Sequence, residues 1–359
     1  MSSTMRPSPT SSSAAATSCV SATPGKYGYV PPGACNSYYD FSPSFALAIA
    51  FSVLFGSVTL LHTFQAVRYK KGFCWVMIMG GIWETVSFIG RALGAHDQQS
   101  STYATISQLL LLLSPLWVNA FAYMVLGRMI YYYLPEKKIY GIKAASLAKY
   151  FVCADIFSFI IQGVGGSMTS SVTDTSIVMT GIHIYMGGIG AQELFILTFT
   201  ALVITFHRRM IAVRQQGRET AGRTGWLRLT ITLYLVLALI TARIVYRLIE
   251  YARGTTASNP LPFHEVYLYV LDAAPMLIAI FIFNVSHPGH KLVGPDSSFP
   301  HLSRKQKKAL KAEKKERKAA EKEARKGTGK GQWWPIGNRK EASLPYTELE
   351  VQYATPKGR

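Results

Sequence analysis

The chain lacks the motifs that mark several large protein classes. It has no G-x-x-x-x-G-K-[ST] motif, which excludes the P-loop use of ATP. Its last apolar segment contains no lysine for a retinal Schiff base, and its third lacks the acidic-Arg-aromatic triplet of common G-protein-coupled receptors. The histidines His62, His183 and His264 are scattered along the chain, which does not favour a zinc enzyme. We therefore predict no enzymatic activity, no cofactor and no metal site.

The N-terminal 43 residues lack the apolar core of a cleavable signal peptide. Residues 1–43 open with a Ser/Thr/Ala/Pro-rich run, whose composition indicates disorder or O-glycosylation. The chain has only four cysteines, too few for a disulfide framework. Cys19 and Cys35 both fall in this segment, where a bridge is chemically permitted but not required.

Long apolar runs are abundant. Seven segments are each long enough to cross the hydrocarbon core as a helix. They are residues 44–67, 73–94, 104–133, 146–166, 179–206, 226–248 and 265–286. Short connections favour antiparallel neighbours, and the alternating strands of a β-barrel are absent. The predicted fold class is an all-α membrane protein, a seven-transmembrane-helix bundle over residues 44–286.

The loop charges predict the orientation of the bundle. The first, third and fifth loops hold three, three and five Lys or Arg residues. The second and fourth loops hold none, and the sixth holds only Arg253. Because positive loops stay in the cytosol, the N-terminus is predicted outside and the C-terminus inside. Much of the net charge of +19 thus reflects topology, and nucleic-acid binding is an unnecessary explanation.

The basic tail, residues 287–359, is predicted to be a cytosolic segment that is largely disordered or a solvated helix. Glu313 with Arg317, and Glu321 with Arg325, form i,i+4 pairs that support a solvated helix. The positive charge would attract anionic lipids of the cytosolic leaflet. A tail that only sets the topology is an equally open interpretation.

Polar side chains interrupt the apolar segments at mid-depth or toward the predicted outer side. Ionisable groups at such depth are costly and normally face a partner or a cavity. The candidate substrate-binding residues are Glu84, Arg91, Asp155, Gln162, Gln192, Glu193, Arg243, Arg247, Glu250, Glu265 and Asp272. We expect them to converge on one wet pocket, in which the excess of carboxylates suits a cationic headgroup. The alternative is a buried ion-pair network that only fixes helix packing.

Proline and glycine predict irregular helices around this pocket. Pro115 and Pro275 each remove a backbone donor and are expected to kink their helices. Glycines 163, 165 and 166 are expected to end helix four, and glycines 187, 188 and 190 to loosen helix five. Close helix packing would explain the same glycines equally well.

Short motifs spread over residues 27–289 resemble one family. They include Tyr-Gly-Tyr-Val-Pro at 27–31, Gly-Arg at 90–91, Leu-Leu-Ser-Pro-Leu at 112–116 and His-Pro-Gly at 287–289. The most specific is Arg-Ile-Val-Tyr-Arg-Leu-Ile-Glu-Tyr at 243–251. Together they resemble the fungal RTA-like, or lipid-translocating exporter, family of seven-helix membrane proteins. Phe88-Ile89-Gly90 and Ser114-Pro115 depart mildly from its usual pattern.

The resemblance implies a multi-pass plasma-membrane protein that moves amphipathic lipids. Sphingoid long-chain bases are the expected partners among membrane lipids, with a role in resistance to toxic amphiphiles. Two alternatives stay open. One is a seven-helix receptor or sensor that signals through the cytosolic loops and tail, and the other is a regulator of other transporters.

Overall fold

A computed structural model of the chain describes residues 21–294, except 32–33, 35–36, 40, 171–174, 218–223 and 253–258. It also describes five isolated residues of the tail, Ser297, Phe299, Ala312, Glu316 and Ala319. The chain divides into two compact units, 1–294 and 295–359, and the first carries the fold. The predictions for a Cys19–Cys35 bridge, for the first 20 residues and for helical pairs in the tail lie outside the described residues.

Among the described residues, seven helices are long and apolar enough to cross a membrane, which confirms the predicted fold class. They are α1 (Phe45–Arg68), α2 (Trp75–His96), α3 (Ser101–Tyr133), α4 (Ala144–Ser170), α5 (Thr175–Gln215), α6 (Trp226–Ala252) and α7 (265–285). A 3₁₀ turn, Gly72–Cys74, leads into α2, and a short helix α8 (Pro288–Lys291) follows α7. Between α3 and α4, strands β1 (Lys138–Ile139) and β2 (Ile142–Lys143) form a small antiparallel hairpin that the sequence reading did not predict.

The helices form a closed bundle in which chain neighbours are also neighbours in space. Each helix from α1 to α6 contacts the next, and α7 contacts both α6 and α1. The spans of α3 and α6 are 56% buried, whereas those of α1 and α4 are 28% and 22% buried. Large exposed apolar residues, such as Leu60, Phe64 and Leu194, lie on the outside of the bundle, where a membrane offers them lipid. Helices α3 and α6 therefore supply much of the interior.

Two predicted breaks in the helices are wrong. Helix α4 continues through its glycines to Ser170, and α5 continues through its own to Gln215, nine residues past the predicted end. Two of the glycines instead allow close approach. A Cβ on Gly188 would lie 2.7 Å from Cγ of Gln162, and one on Gly165 would lie 2.7 Å from the carbonyl oxygen of Gly181. The packing alternative thus explains Gly165 and Gly188, because the two helices meet where a side chain would not fit. It does not explain Gly163, Gly187 and Gly190, where an added Cβ meets nothing within 4 Å.

Helix α7 is irregular, as its proline suggested, but in a way that the sequence did not specify. It begins as an α-helix (Glu265–Tyr267), widens into a π-helical stretch (Leu268–Ala273) and returns to an α-helix (Ala274–Val285). The amide of Ala274 donates to the carbonyl of Tyr269, five residues back. Pro275, which has no amide hydrogen, stands directly after this turn. Helix α3, by contrast, continues as one helix through Pro115.

Ends of the bundle are named here by the predicted orientation. The outer end carries Ser44 and Glu265, and the inner end carries Tyr69 and His287. The orientation itself stays a prediction.

The close approach of α4 and α5 predicts different effects for two neighbouring glycines. Gly165→Ala would force a methyl group against the α5 backbone, which should lower stability by about 1–3 kcal/mol, the usual range for overpacking. Gly163→Ala meets nothing within 4 Å and should be neutral or stabilising by up to about 1 kcal/mol, through helix propensity. Thermal unfolding of the purified protein in detergent measures both. Equal melting temperatures for the two variants would contradict the close packing.

Candidate functional site

A cluster of four ionisable side chains joins α6 to α7 in the interior. Asp272, fully buried, forms ion pairs with both Arg243 and Arg247. Arg247 also pairs with Glu250, at 3.0 Å, and the hydroxyl of Tyr246 donates to the same carboxylate at 3.1 Å. We call Arg243, Arg247, Glu250 and Asp272 the α6–α7 cluster. Its two acids and two guanidiniums balance in formal charge.

Local geometry explains how the chain builds this cluster. Arg243 and Arg247 are four residues apart, so they project from the same face of α6. Asp272 lies in the π-helical stretch of α7, whose wider turn changes the direction of the side chains that follow it. Single π turns of this kind are frequent at functional sites. The irregularity of α7 thus coincides with the residue that holds both arginines.

Glu84 lies beside the α6–α7 cluster but is not part of its pairing. It is fully buried on α2, and neither carboxylate oxygen has a hydrogen-bond partner among the described residues. Its electrostatic neighbours include Asp272 and Arg243, and the Ser114 hydroxyl of α3 also lies close to its carboxylate. The one hydrogen of that hydroxyl is donated to the carbonyl of Gly80, at 2.8 Å, and not to Glu84. An ionised carboxylate without a partner is costly in such a position. Glu84 therefore leaves one negative charge to be balanced by a proton or an added cation.

A second ion pair lies at the outer end. Arg91 of α2 contacts Glu265 of α7 at 3.4 Å, and both side chains are buried. The amide of Ser44 donates to the other oxygen of Glu265 at 2.7 Å, and the hydroxyl of Tyr269 donates to the first at 3.2 Å. The ring of Phe41 lies 5.8 Å from the Arg91 guanidinium. This pair connects α2 and α7 to the start of α1.

The segment before α1 lies against the outer end of α2. Gln98 accepts from the amide of Val30 through its side chain, at 3.1 Å, and from the amide of Tyr38 through its carbonyl, at 3.2 Å. Tyr39 is buried, and this burial raises the pKa of its hydroxyl. The segment therefore covers part of the side from which the sequence predicts access.

Asp155 has its own partners, which lie on α3. Its carboxylate accepts from the Tyr123 hydroxyl at 2.9 Å and from the Asn119 amide at 3.1 Å, both on α3. The second carboxylate oxygen has no hydrogen-bond partner among the described residues. In the part of the chain that the structure describes, no ion pair joins Asp155 to the arginines of α6. This carboxylate fixes α4 against α3.

The two predicted glutamines border the α6–α7 cluster from the other side. Gln162 donates to Gln192 at 3.0 Å, between α4 and α5. Both line a cavity of about 20 Å³ together with Arg243 and Arg247. That volume holds about one water molecule. Glu193 is half-buried, and its hydrogen-bonding neighbour is Thr241 of α6.

The candidate residues thus do not converge on one wet pocket. The structure brings Glu84 to the α6–α7 cluster and places the Gln162–Gln192 pair beside it. It separates Arg91–Glu265 at the outer end and Asp155 at the α3–α4 contact. The expected single pocket is wrong because helix rotation gives most of these groups a nearby partner, so little space remains between them.

The inner end holds a cluster that the sequence reading missed. His62, Cys74 and His287 are buried, and one nitrogen or sulfur atom of each lies within 4.8 Å of the others. His287 also lines a cavity of about 230 Å³ with Arg228, Lys291 and other polar residues, and none of the lining residues is acidic. The histidines are 225 positions apart in the sequence, so spacing alone gave no signal. The His-Pro-Gly stretch among the resemblance motifs was the one available clue.

Seven spanning helices around buried, mostly paired charges define a multi-pass membrane protein with a polar interior. Comparisons with known proteins identify the family within this class. The model of the RTA1-like protein family matches residues 77–294, which is more than half of the chain. The chain belongs to the RTA1-like protein family.

Curated relatives extend the match along the chain. A probable lipid transporter of Emericella nidulans is 48% identical over 309 residues, which are 84% of this chain and 81% of the relative. Protoporphyrin uptake protein 1 of Saccharomyces cerevisiae is 28% identical, over 69% of this chain and 90% of its own length. A sphingoid long-chain base transporter of the same species is 26% identical, over 74% and 77%. No solved structure matches the chain significantly.

The α6–α7 cluster predicts a large loss of stability for Asp272→Asn. The substitution keeps the shape but leaves two buried guanidiniums without their shared carboxylate, a change that typically costs about 3–5 kcal/mol. The melting temperature of the purified protein should fall markedly. Glu136→Gln is the matched control, because it breaks an exposed pair with Arg209, which is worth at most about 1 kcal/mol. Similar melting temperatures for both variants would show that the buried pairing is not structural.

Proposed function

We propose that this protein moves amphipathic lipids with a positively charged amine headgroup from one leaflet of the membrane to the other. Sphingoid long-chain bases are the substrate class that fits best. Two relatives are named as lipid or long-chain base transporters, which supports lipid movement in general. The preference for a cationic headgroup rests on this chain's own residues.

The observation that carries the proposal is the unmatched carboxylate of Glu84. The α6–α7 cluster balances its own charges, and so does the Arg91–Glu265 pair. Glu84 adds a third acid beside two arginines, with no hydrogen-bond partner among the described residues. A single positive charge placed there completes the balance. An ammonium headgroup supplies that charge, and its donors match the two free carboxylate oxygens.

The headgroup needs more room than the closed bundle offers. The cavity beside Arg243 and Arg247 holds about one water molecule, so the lipid enters only after helices separate. The π-helical stretch of α7 and Pro275 lie next to Asp272 and give the least regular backbone in this region. Parting of α6 and α7 at this point would expose Glu84 while the lipid tail stays in the bilayer. A proton that binds the same carboxylate would compete with the amine.

The setting of this activity is the plasma membrane, with the N-terminal segment outside and the tail in the cytosol. The segment 1–43, the bundle 44–286 and the tail 287–359 are its three functional regions. The tail would hold anionic lipids of the cytosolic leaflet through its excess of positive charge.

Transport by the protein alone is the decisive measurement. Purified protein in liposomes, with no other protein present, should move a labelled sphingoid base between leaflets faster than protein-free liposomes. Glu84→Gln keeps the side-chain shape and removes the unmatched charge, so we expect at least a tenfold lower rate. An N-acylated analogue without the amine should show no dependence on Glu84.

Controls separate loss of function from loss of fold. Glu84→Gln should keep the wild-type melting temperature, and Glu136→Gln should keep the wild-type transport rate. Unchanged amine-lipid flux in folded Glu84→Gln would overturn the proposed site. A protein that shows no flux alone but copurifies with a cytosolic partner would instead support the sensor alternative.

The proposed orientation gives a separate prediction in cells. In a variant without native cysteines, Asp97→Cys in the exposed turn between α2 and α3 should react with an impermeant thiol reagent from outside. Tyr140→Cys in the exposed turn of the β-hairpin should react only after permeabilisation. The reverse labelling pattern would mean that the bundle has the opposite orientation. The predicted side of substrate access would then be wrong as well.

A further inference from the structure

We infer that His62, Cys74 and His287 form a binding site for one soft metal ion, monovalent copper in preference to zinc, at the inner end of the bundle. The cluster joins α1, the turn before α2 and the segment after α7. It is separate from the proposed lipid site around Glu84. The inference is independent of the transport proposal.

The donor atoms have the right chemistry and spacing. Imidazole nitrogen and cysteine sulfur are the ligands that copper and zinc take in proteins. Sγ of Cys74 lies 3.6 Å from Nε2 of His287. Two such ligands around one tetrahedral ion are separated by about 3.6 Å, given metal–sulfur and metal–nitrogen distances of about 2.3 and 2.1 Å. One ring nitrogen of His62 belongs to the same group, in which the ligand atoms of the three residues all lie within 4.8 Å of one another.

His62 has the hydrogen bonding of a metal ligand. The amide nitrogen of Asn284 donates to the carbonyl of Val58 at 2.8 Å, which leaves its oxygen to accept from Nδ1 of His62 at 2.6 Å. Nδ1 therefore carries the ring proton, and Nε2 has a free lone pair. Nε2 is fully buried and has no hydrogen-bond partner among the described residues. Metal-binding histidines are typically oriented in this way through their other ring nitrogen.

His287 is the weaker of the three ligands. The amide of Gly289 donates to its Nδ1 at 3.0 Å, so without a metal the ring proton lies on Nε2 and points toward Cys74. Binding through Nε2 requires the other tautomer and gives up the Gly289 hydrogen bond. Cys74 and His62 therefore contribute most of the affinity, and His287 adds less.

Charge and access favour monovalent copper. Arg128 and Lys71 lie close enough to Cys74 to interact electrostatically with its sulfur. Thiolate is a good ligand for both copper(I) and zinc. The positive charge of Arg128 and Lys71 opposes a divalent ion more than a monovalent one, so it favours copper(I). The inner cavity of about 230 Å³ reaches His287, and so gives an ion a route from the inner side.

Copper retention by the purified full-length protein tests the site. The background variant replaces Cys19, Cys35 and Cys153 by serine, so that Cys74 is the remaining cysteine. Loaded with copper(I) under reducing conditions and challenged with a chelator, this background should retain about one ion per chain. Adding Cys74→Ser or His62→Gln should weaken retention at least tenfold, whereas His287→Gln should weaken it less. A parallel series with Zn²⁺ should give weaker retention throughout.

The matched control is His183→Gln, a histidine of α5 outside the cluster, which should retain copper as the background does. X-ray absorption of the loaded protein should show sulfur and nitrogen in the first coordination shell. If the background protein itself retains no copper, the inference is overturned, whatever the single substitutions show. Equal retention after Cys74→Ser would also overturn it and would mean an adventitious ion only.

Discussion

The interior of this bundle depends on one interaction, the ion pairing of the Asp272 carboxylate with two arginines of α6. A guanidinium in an apolar interior is stable only when it is paired, and here one acid serves two of them. The pairing fixes how α6 is rotated and where α7 departs from regular α-helix. It also fixes which groups remain without a partner. Glu84, brought to the same place by α2, is left as an acid beside a cluster that is already balanced.

The proposed headgroup preference depends on the charge around Glu84. Relatives of this chain are named for protoporphyrin and for sphingoid long-chain bases, so membership of the family does not by itself select one headgroup. The seven-helix body with its exposed apolar surface suits amphipathic substrates in general. Under the proposed function, the unmatched carboxylate of Glu84 is the feature that selects an amine.

Much of the fold was predictable because hydropathy is a local property of the sequence. The spans around Phe45–Arg68 and Trp226–Ala252 matched the predicted segments closely. The pairing face of Arg243 and Arg247 followed from their spacing on one helix. The glycines of α4 and α5 were ambiguous, because a glycine that ends a helix and one that admits a neighbouring helix look alike until the neighbour is known. Pro275 was ambiguous in the same way, since a π turn and a kink both accommodate a proline, which has no amide hydrogen to donate.

The sequence by itself determined the number of helices, their approximate limits and which residues carry buried charge. These depend on composition over about 20 residues, which is what a bilayer selects. Only the tertiary structure decided that Asp272 pairs with α6, that Glu265 pairs with Arg91, that Asp155 stays with α3 and that two distant histidines meet Cys74. The physical reason is that these contacts depend on the rotation and neighbours of each helix. Those are set by side-chain packing across the whole bundle and by no short stretch of the chain.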